Sequence, residues 1–322
     1  MRTRIALSSL LAVAALAVAG CGGGSDSGSG PSKSDPVKIT VAMLAVTNSA
    51  GLVLGKEKGF FSDAGLDVEI KDTPAASTVP SVVSGGAQFA FTGIPPLINA
   101  RANGLPIKAV APAAGYPTDL AKSQIRLVAP KGSPLKSAKD LEGKKVAVDT
   151  LYQLPHLSLI QGLASEGVDT SKIKFVEIPY PSMIDAMASG KVDAADLGDP
   201  FLSQAMAAGG TSLLSNGTGF DPGVTQVIWV ASEKYISDNP DVVKAFAAAI
   251  EKSNTYAQEH PEEVRKIVPS YMKVPEKIAS SMFLPEYTST IDTSVFDVYS
   301  KIMSELGLIK KSVSASDAVY QP

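Results

Sequence analysis

The sequence contains itself twice, and nothing else in it restricts the fold as much. A shift of 105 residues lays Ser84–Gly104 over Ser189–Gly209 without a gap. Nine of the 21 positions are then identical, among them Ser84/Ser189, Gly85/Gly190, Gly93/Gly198, Pro95/Pro200 and Gly104/Gly209. The same offset sets Ile39–Ala42 over Lys144–Ala147 and Asp67–Ile70 over Lys172–Phe175. Self-similarity at one fixed offset over three separate segments marks a duplicated structural unit.

Each copy reads as βαβαβ. In copy one, strands are expected at Lys38–Leu44, Asp67–Lys71 and Gln88–Thr92. Helices are expected at Ala50–Phe61, Ser77–Ser84 and Pro96–Asn103, with Asn48 or Ser49 as first N-cap and Gly85 and Gly104 as stops. Copy two repeats the order, with strands at Lys145–Asp149, Lys172–Ile178 and Asp193–Leu197. Its helices are expected at Leu157–Glu166, Met183–Ser189 and Phe201–Ala208. Strands alternating with helices imply parallel sheets with right-handed crossovers. The tail differs: a strand at Thr225–Ala231, then helices starting at Asn239–Pro240, at Pro261 and at Phe296. With copy two inserted between copy one and this tail, the tail packs most simply on copy one. The fold class is therefore α/β with two lobes. Lobe one is 37–122 plus 227–322 and lobe two is 123–226. The chain crosses between them near Tyr116–Gln124 and Phe220–Gln226, a two-strand hinge.

The amino terminus carries a different message. Met1–Arg4 is basic, Ile5–Ala19 is an apolar run too short for a comfortable membrane span, and Gly20-Cys21 follows. Leu16–Cys21 resembles the lipobox of bacterial lipoproteins. That resemblance implies a signal peptide over 1–21, lipidation of Cys21, and a place on the outer face of the cytoplasmic membrane, where two or more acyl chains anchor stably. Residues 22–36 are almost wholly Gly, Ser, Pro, Asp and Lys, the composition of a flexible linker. About 286 residues remain from Val37, more than one hydrophobic core usually serves. The net charge is −3, without a basic stripe, which argues against nucleic acid. Cys21 is the only cysteine and the two histidines are His156 and His260, so no disulfide, thiolate metal site or histidine pair is expected. Asp193, Asp196 and Asp199 step by three, but Asp193 and Asp196 start or sit in a strand, which makes a carboxylate metal site unexpected. No cofactor and no metal are expected.

In open α/β sheets, ligands bind beyond the carboxyl ends of the strands. The duplication therefore points to the site twice: Ala45–Gly51 with Thr92–Pro95, and Asp149–His156 with Leu197–Pro200. Helix N-termini at these loops suggest free N–H groups for an anionic or polar ligand. Thr47, Asn48, Ser49, Thr92 and Gly93 form one wall, with Ser49 equally suited to capping. Asp149, Tyr152, Gln153 and Asp199 form the other. Asp199 is a capping residue as readily as a contact, and His156 fits a cap better than a catalyst. Tyr116, near the first crossing, and Trp229, on the return strand, belong either to the core or to the cleft wall.

Three segments carry a family resemblance. Gly59–Glu69 (Gly-Phe-Phe-Ser-Asp-Ala-Gly-Leu-Asp-Val-Glu), Asp140–Val148 (Asp-Leu-Glu-Gly-Lys-Lys-Val-Ala-Val) and Ser189–Ala194 with Asp199-Pro200-Phe201 occur in order. Together they resemble the substrate-binding proteins of nitrate, sulfonate and taurine ABC importers, a group that includes thiamine-pyrimidine-precursor binders. The resemblance runs from about Val37 to about Val268. It implies a type II periplasmic-binding fold that closes on one small-molecule solute and docks, as a monomer, on an ABC permease with its ATPase. It also implies no catalysis, although some relatives do chemistry on this fold, and a surface sensor without a transporter is a third reading. One departure matters. Sulfonate binders often carry a Gly/Ser run in the first lobe-two loop, whereas Leu151–Pro155 here is bulky and ends in a proline without an N–H. The predicted loops also lack arginine and lysine, which points toward a ring-bearing, amino-bearing or larger organic solute, with Asp199 or Asp149 available to an amine.

Overall fold

A computed structural model describes residues 35–321. The signal segment, Cys21 and the linker up to residue 34 lie outside the described residues. From Val37 the chain forms β1 (Val37–Met43), α1 (Ala50–Glu57), α2 (Phe60–Asp63), β2 (Leu66–Asp72), α3 (Ala75–Val83), β3 (Phe89–Gly93), α4 (Ile94–Ala102) and β4 (Ile107–Gly115). It then forms β5 (Ile125–Ala129), β6 (Lys145–Val148), α5 (Leu154–Ser165), β7 (Lys174–Glu177), α6 (Tyr180–Ala188), β8 (Ala194–Gly198), α7 (Phe201–Ala207) and β9 (Thr211–Ser215). The return segment supplies β10 (Thr225–Ser232), α8 (Glu233–Asp238), α9 (Pro240–Glu259), α10 (Pro261–Met272), α11 (Glu276–Ser281) and α12 (Ser294–Glu305). Among the described residues no helix is long and apolar enough to cross a membrane.

Two five-stranded sheets result, ordered β2-β1-β3-β10-β4 and β7-β6-β8-β5-β9. The duplication survives down to the register. Val41 pairs with Phe89 and Ala42 with Ala90 in the first sheet; Val146 pairs with Ala194 and Ala147 with Ala195 in the second. Each position is displaced by the 105-residue offset. Even a side-chain bond is duplicated: the Thr40 amide donates to Gln88 Oε1 at 2.7 Å, and the Lys145 amide donates to Asp193 Oδ2 at 2.8 Å. Gly85 and Gly190 both end a helix at positive φ, 77° and 71°, where a side chain would be strained.

The sheets are mixed rather than all parallel. Four strands in each run the same way, and one, β10 or β5, runs antiparallel to both its neighbours. The reason lies in connectivity. β10 and β5 arrive from the other lobe rather than through a crossover helix, so the rule for βαβ units does not govern them. β4 carries Pro112, which is tolerated because β4 is an edge strand. Helix boundaries also move. Gly59, at φ 79°, divides the expected Ala50–Phe61 helix in two, and α4 and α5 begin earlier because Pro95, Pro96 and Pro155 lie inside their first turns.

The lobe-one sheet is buried on both faces. One face packs on α1, α9 and α10 through Phe89, Phe246 and Trp229; the other packs on α4 and α12 through Leu97, Phe296 and Tyr299. Helix α5 of lobe two buries Leu157 and Ile160 within this second cluster, so the lobes share apolar core as well as two chain crossings.

Candidate functional site

The loops after β1, β3, β6 and β8 gather at the carboxyl ends of the parallel strands. In the first, Thr47 and Asn48 are tied to the two crossings. Gln124 donates through Nε2 to Thr47 Oγ1 and, at 3.2 Å, to the Phe283 carbonyl. Asn48 donates through Nδ2 to Gln226 Oε1 at 3.1 Å. Ser49 is fully buried and its hydroxyl is shared between the Leu44 and Val46 carbonyls, so it braces the loop and neither caps α1 nor faces a ligand. Thr92 is buried at the end of β3, and its hydroxyl makes no hydrogen bond among the described residues. A Cβ on Gly93 would lie 3.2 Å from Leu154 Cδ2, so the end of β3 abuts the start of α5.

On the lobe-two side, Asp149 accepts from the Tyr180 amide at 3.2 Å, the first residue of α6. Asp199 caps α7 through one oxygen, Oδ1, which accepts from the Ser203 amide at 3.1 Å and its hydroxyl at 2.6 Å. The other oxygen, Oδ2, is buried without a donor. Tyr152 is 46% exposed and Gln153 is also exposed. His156 is buried and packs edge-on to Phe175.

Tyr116 belongs to the interlobe core. Its ring stacks on Phe220, and its hydroxyl meets Ser158 of α5 and, at 2.8 Å, Tyr299 of α12. Ser158 gives its single hydrogen to the Leu154 carbonyl at 2.7 Å, so towards the tyrosines it accepts. Burial pushes the Tyr116 phenol up to about 12. Trp229 is 1% exposed and edge-on to Phe91 and Phe246 in the lobe-one core, with its indole Nε1 buried without a partner among the described residues. The physical reason is its strand position: it projects from the face of β10 covered by α9.

The helix N-termini are less open than expected. Pro95 and Pro96 remove two amides from the first turn of α4, and Pro155 removes one from α5. The starts of α6 and α7 are answered by Asp149 and Asp199. Charge instead comes from Arg126, which lies outside the predicted loops on β5, an antiparallel strand. Antiparallel pairing brings the beginning of β5 to the carboxyl end of β8, where Ile125 pairs with Gly198. Arg126 is half-buried, braced on the carbonyls of Ala121 and Ser123, and its guanidinium lies 4.9 Å from the centre of the Phe283 ring in lobe one. No carboxylate among the described residues reaches ion-pair distance; desolvation lowers its pKa, and the nearby Asp199 and Asp119 favour its charged form against that.

Two lobes, each built on a five-stranded mixed sheet, form the fold of the periplasmic binding proteins. The structure superposes on the periplasmic aliphatic sulphonate binding protein SsuA from Escherichia coli with a TM-score of 0.74 at 22% identity, covering 89% of this chain and 98% of that one. In sequence it is 25% identical over 287 residues to the taurine-binding periplasmic protein of E. coli K12, covering 82% of this chain and 87% of that protein. It is 26% identical over 288 residues to a putative aliphatic sulfonates-binding protein of the same strain, covering 85% and 86%. The family model described as NMT1/THI5 like matches residues 46–264, more than half of the chain. This protein belongs to the NMT1/THI5-like family.

Proposed function

We propose that the protein is an extracytoplasmic solute-binding lipoprotein of an ABC importer. It is anchored through Cys21, acts as a monomer, and hands its solute unchanged to a permease and its ATPase. The solute is a small organic molecule with an anionic head, of the sulfonate or taurine kind, held between lobes divided at 37–122 plus 227–322 and 123–226. The observation that carries this reading is Arg126, a half-buried cation at the strand ends with no ion-pair partner among the described residues. A buried or half-buried guanidinium recruits an anion, and a sulfonate offers matching oxygens. Asp199 Oδ2, buried without a donor, gives an amino group its counterpart. The names of the relatives support the same chemistry. The exposed Tyr152 ring and the proline-blocked helix starts favour a second reading, an aromatic or thiamine-pyrimidine-like precursor.

A thermal-shift panel on the chain from Gly22 onward tests this. It holds taurine, alkyl and aryl sulfonates, nitrate and aminopyrimidines. A ligand at 100 times its Kd adds about 2.7 kcal/mol. A saturable shift with sulfonates that is lost in Arg126→Gln, with the compound recovered intact, supports the first reading. A shift with aminopyrimidines alone replaces it with the second.

A further inference from the structure

Tyr152 is one of two non-glycine residues at positive φ among the described residues, at 61°. The other, Lys273, ends α10, an ordinary place for a left-handed residue. Tyr152 instead lies in a loop that leads into a helix, and a bulky side chain there is strained. Something must hold it, and two side chains hold this loop by its amides. Glu177 Oε2 accepts from the Leu151 amide at 3.0 Å, and His156 Nδ1 accepts from the Tyr152 amide at 2.9 Å. Because Nδ1 accepts, the ring proton of the neutral imidazole is on Nε2. Nε2 is buried without a hydrogen-bond partner, and the ring stands edge-on to Phe175, 4.4 Å between centres. His156 thus spends its one hydrogen-bond acceptor on the backbone of Tyr152, and its ring lies 5.4 Å from the Tyr152 ring, which stays 46% exposed.

We propose that His156 is a positioning residue: its Nδ1 holds Tyr152 in the left-handed conformation that presents the tyrosine ring to the solute cleft. The proposal rests on the solute-binding reading for the use of the ring, but the hold itself is testable without any solute. Full-chain His156→Asn keeps an acceptor oxygen near the position of Nδ1, and His156→Leu removes it. Amide hydrogen exchange at Tyr152 is expected to be slow in the wild type and in His156→Asn, and about tenfold or more faster in His156→Leu. Should the leucine variant fail to fold, His156→Gln, whose oxygen falls at the position of Nε2, takes its place and is expected to exchange fast. Taurine affinity should fall about tenfold in His156→Leu and recover in His156→Asn. Tyr152→Gly keeps the turn without the ring, and should lose affinity with no loss of melting temperature. Equal exchange at Tyr152 in the wild type and the leucine variant overturns the proposal, as does undiminished taurine binding by that variant. A wild type that ignores taurine overturns the sulfonate reading, while the exchange comparison still decides the part of His156.

Discussion

Asp196 is fully buried on β8, and both its oxygens lie 3.0–3.1 Å from Asn216 Nδ2. Burial pushes its carboxyl up to about 8, so near neutrality it is largely protonated. The folded state then binds more protons than the unfolded state between its ordinary value of 3.8 and about 8, and stability falls as pH rises through that window. His156 has the opposite sign. Burial lowers it to about 4, so folding loses stability as pH falls from 6.5 toward 4. The two slopes oppose each other below pH 6.5, and above it Asp196 acts alone. Asp196→Asn should therefore gain on the wild type by roughly 2 kcal/mol between pH 6.5 and 8, which amounts to several degrees in Tm. Melting curves at those two pH values check it; parallel pH dependences would refute the assignment. The duplication flags this residue, since Asp196 stands where copy one has Phe91. Its burial against Asn216 needs the folded sheet.

Between elements, the tightest packing is that of α1 on α9. A Cβ on Gly55 would lie 1.7 Å from Ser253 Oγ and 2.6 Å from Ser253 Cβ, and one on Gly51 would lie 2.2 Å from Asn254 Oδ1. Asn254 cannot yield freely, because its Nδ2 donates to the carbonyls of Pro112, Ala113 and Thr288. Helix propensity alone would make Gly55→Ala stabilising by about 1 kcal/mol. Overpacking costs about 1–3 kcal/mol and wins here, because the clash reaches Ser253 Cβ and not only a movable hydroxyl. Gly55→Ala should lower the denaturant midpoint with an unchanged m-value, and an unchanged or raised midpoint would mean that α9 slides away at little cost. The glycine pair is visible in the sequence as two helix-weakening residues four apart. What they make room for is not visible, because Ser253 and Asn254 lie about 200 residues further along.

For the whole molecule, the lobes are joined by two crossings, by α5 set into the lobe-one core, and by the hydroxyls of Tyr116, Ser158 and Tyr299. That shared core predicts a single unfolding transition, with calorimetric and van't Hoff enthalpies equal. Two resolved transitions would show that the lobes unfold separately. Tyr299→Phe leaves Tyr116 and Ser158 bonded to each other and should cost about 1 kcal/mol, a fall in Tm of about 2–4 °C. A Tm equal to that of the wild type would show that the third hydroxyl is idle. Thr47 and Asn48 add a further link, since Gln124 and Gln226 tie the lobe-one loop to both crossings. On the solute-binding proposal, Gln124→Ala and Gln226→Ala should each lower taurine affinity without unfolding the chain, as titration calorimetry would register.

The sequence by itself determined the duplicated α/β units and the loops at their strand ends, because those follow from local periodicity and an internal offset. It left open which candidate residues face outward. Ser49 and Trp229 went to the interior and Tyr152 to the surface, since burial depends on which helix covers which face. It passed over Arg126, whose place at the carboxyl end of β8 arises only when β5 returns antiparallel to it. Long-range strand pairing decided that, and no local pattern in the sequence encodes it.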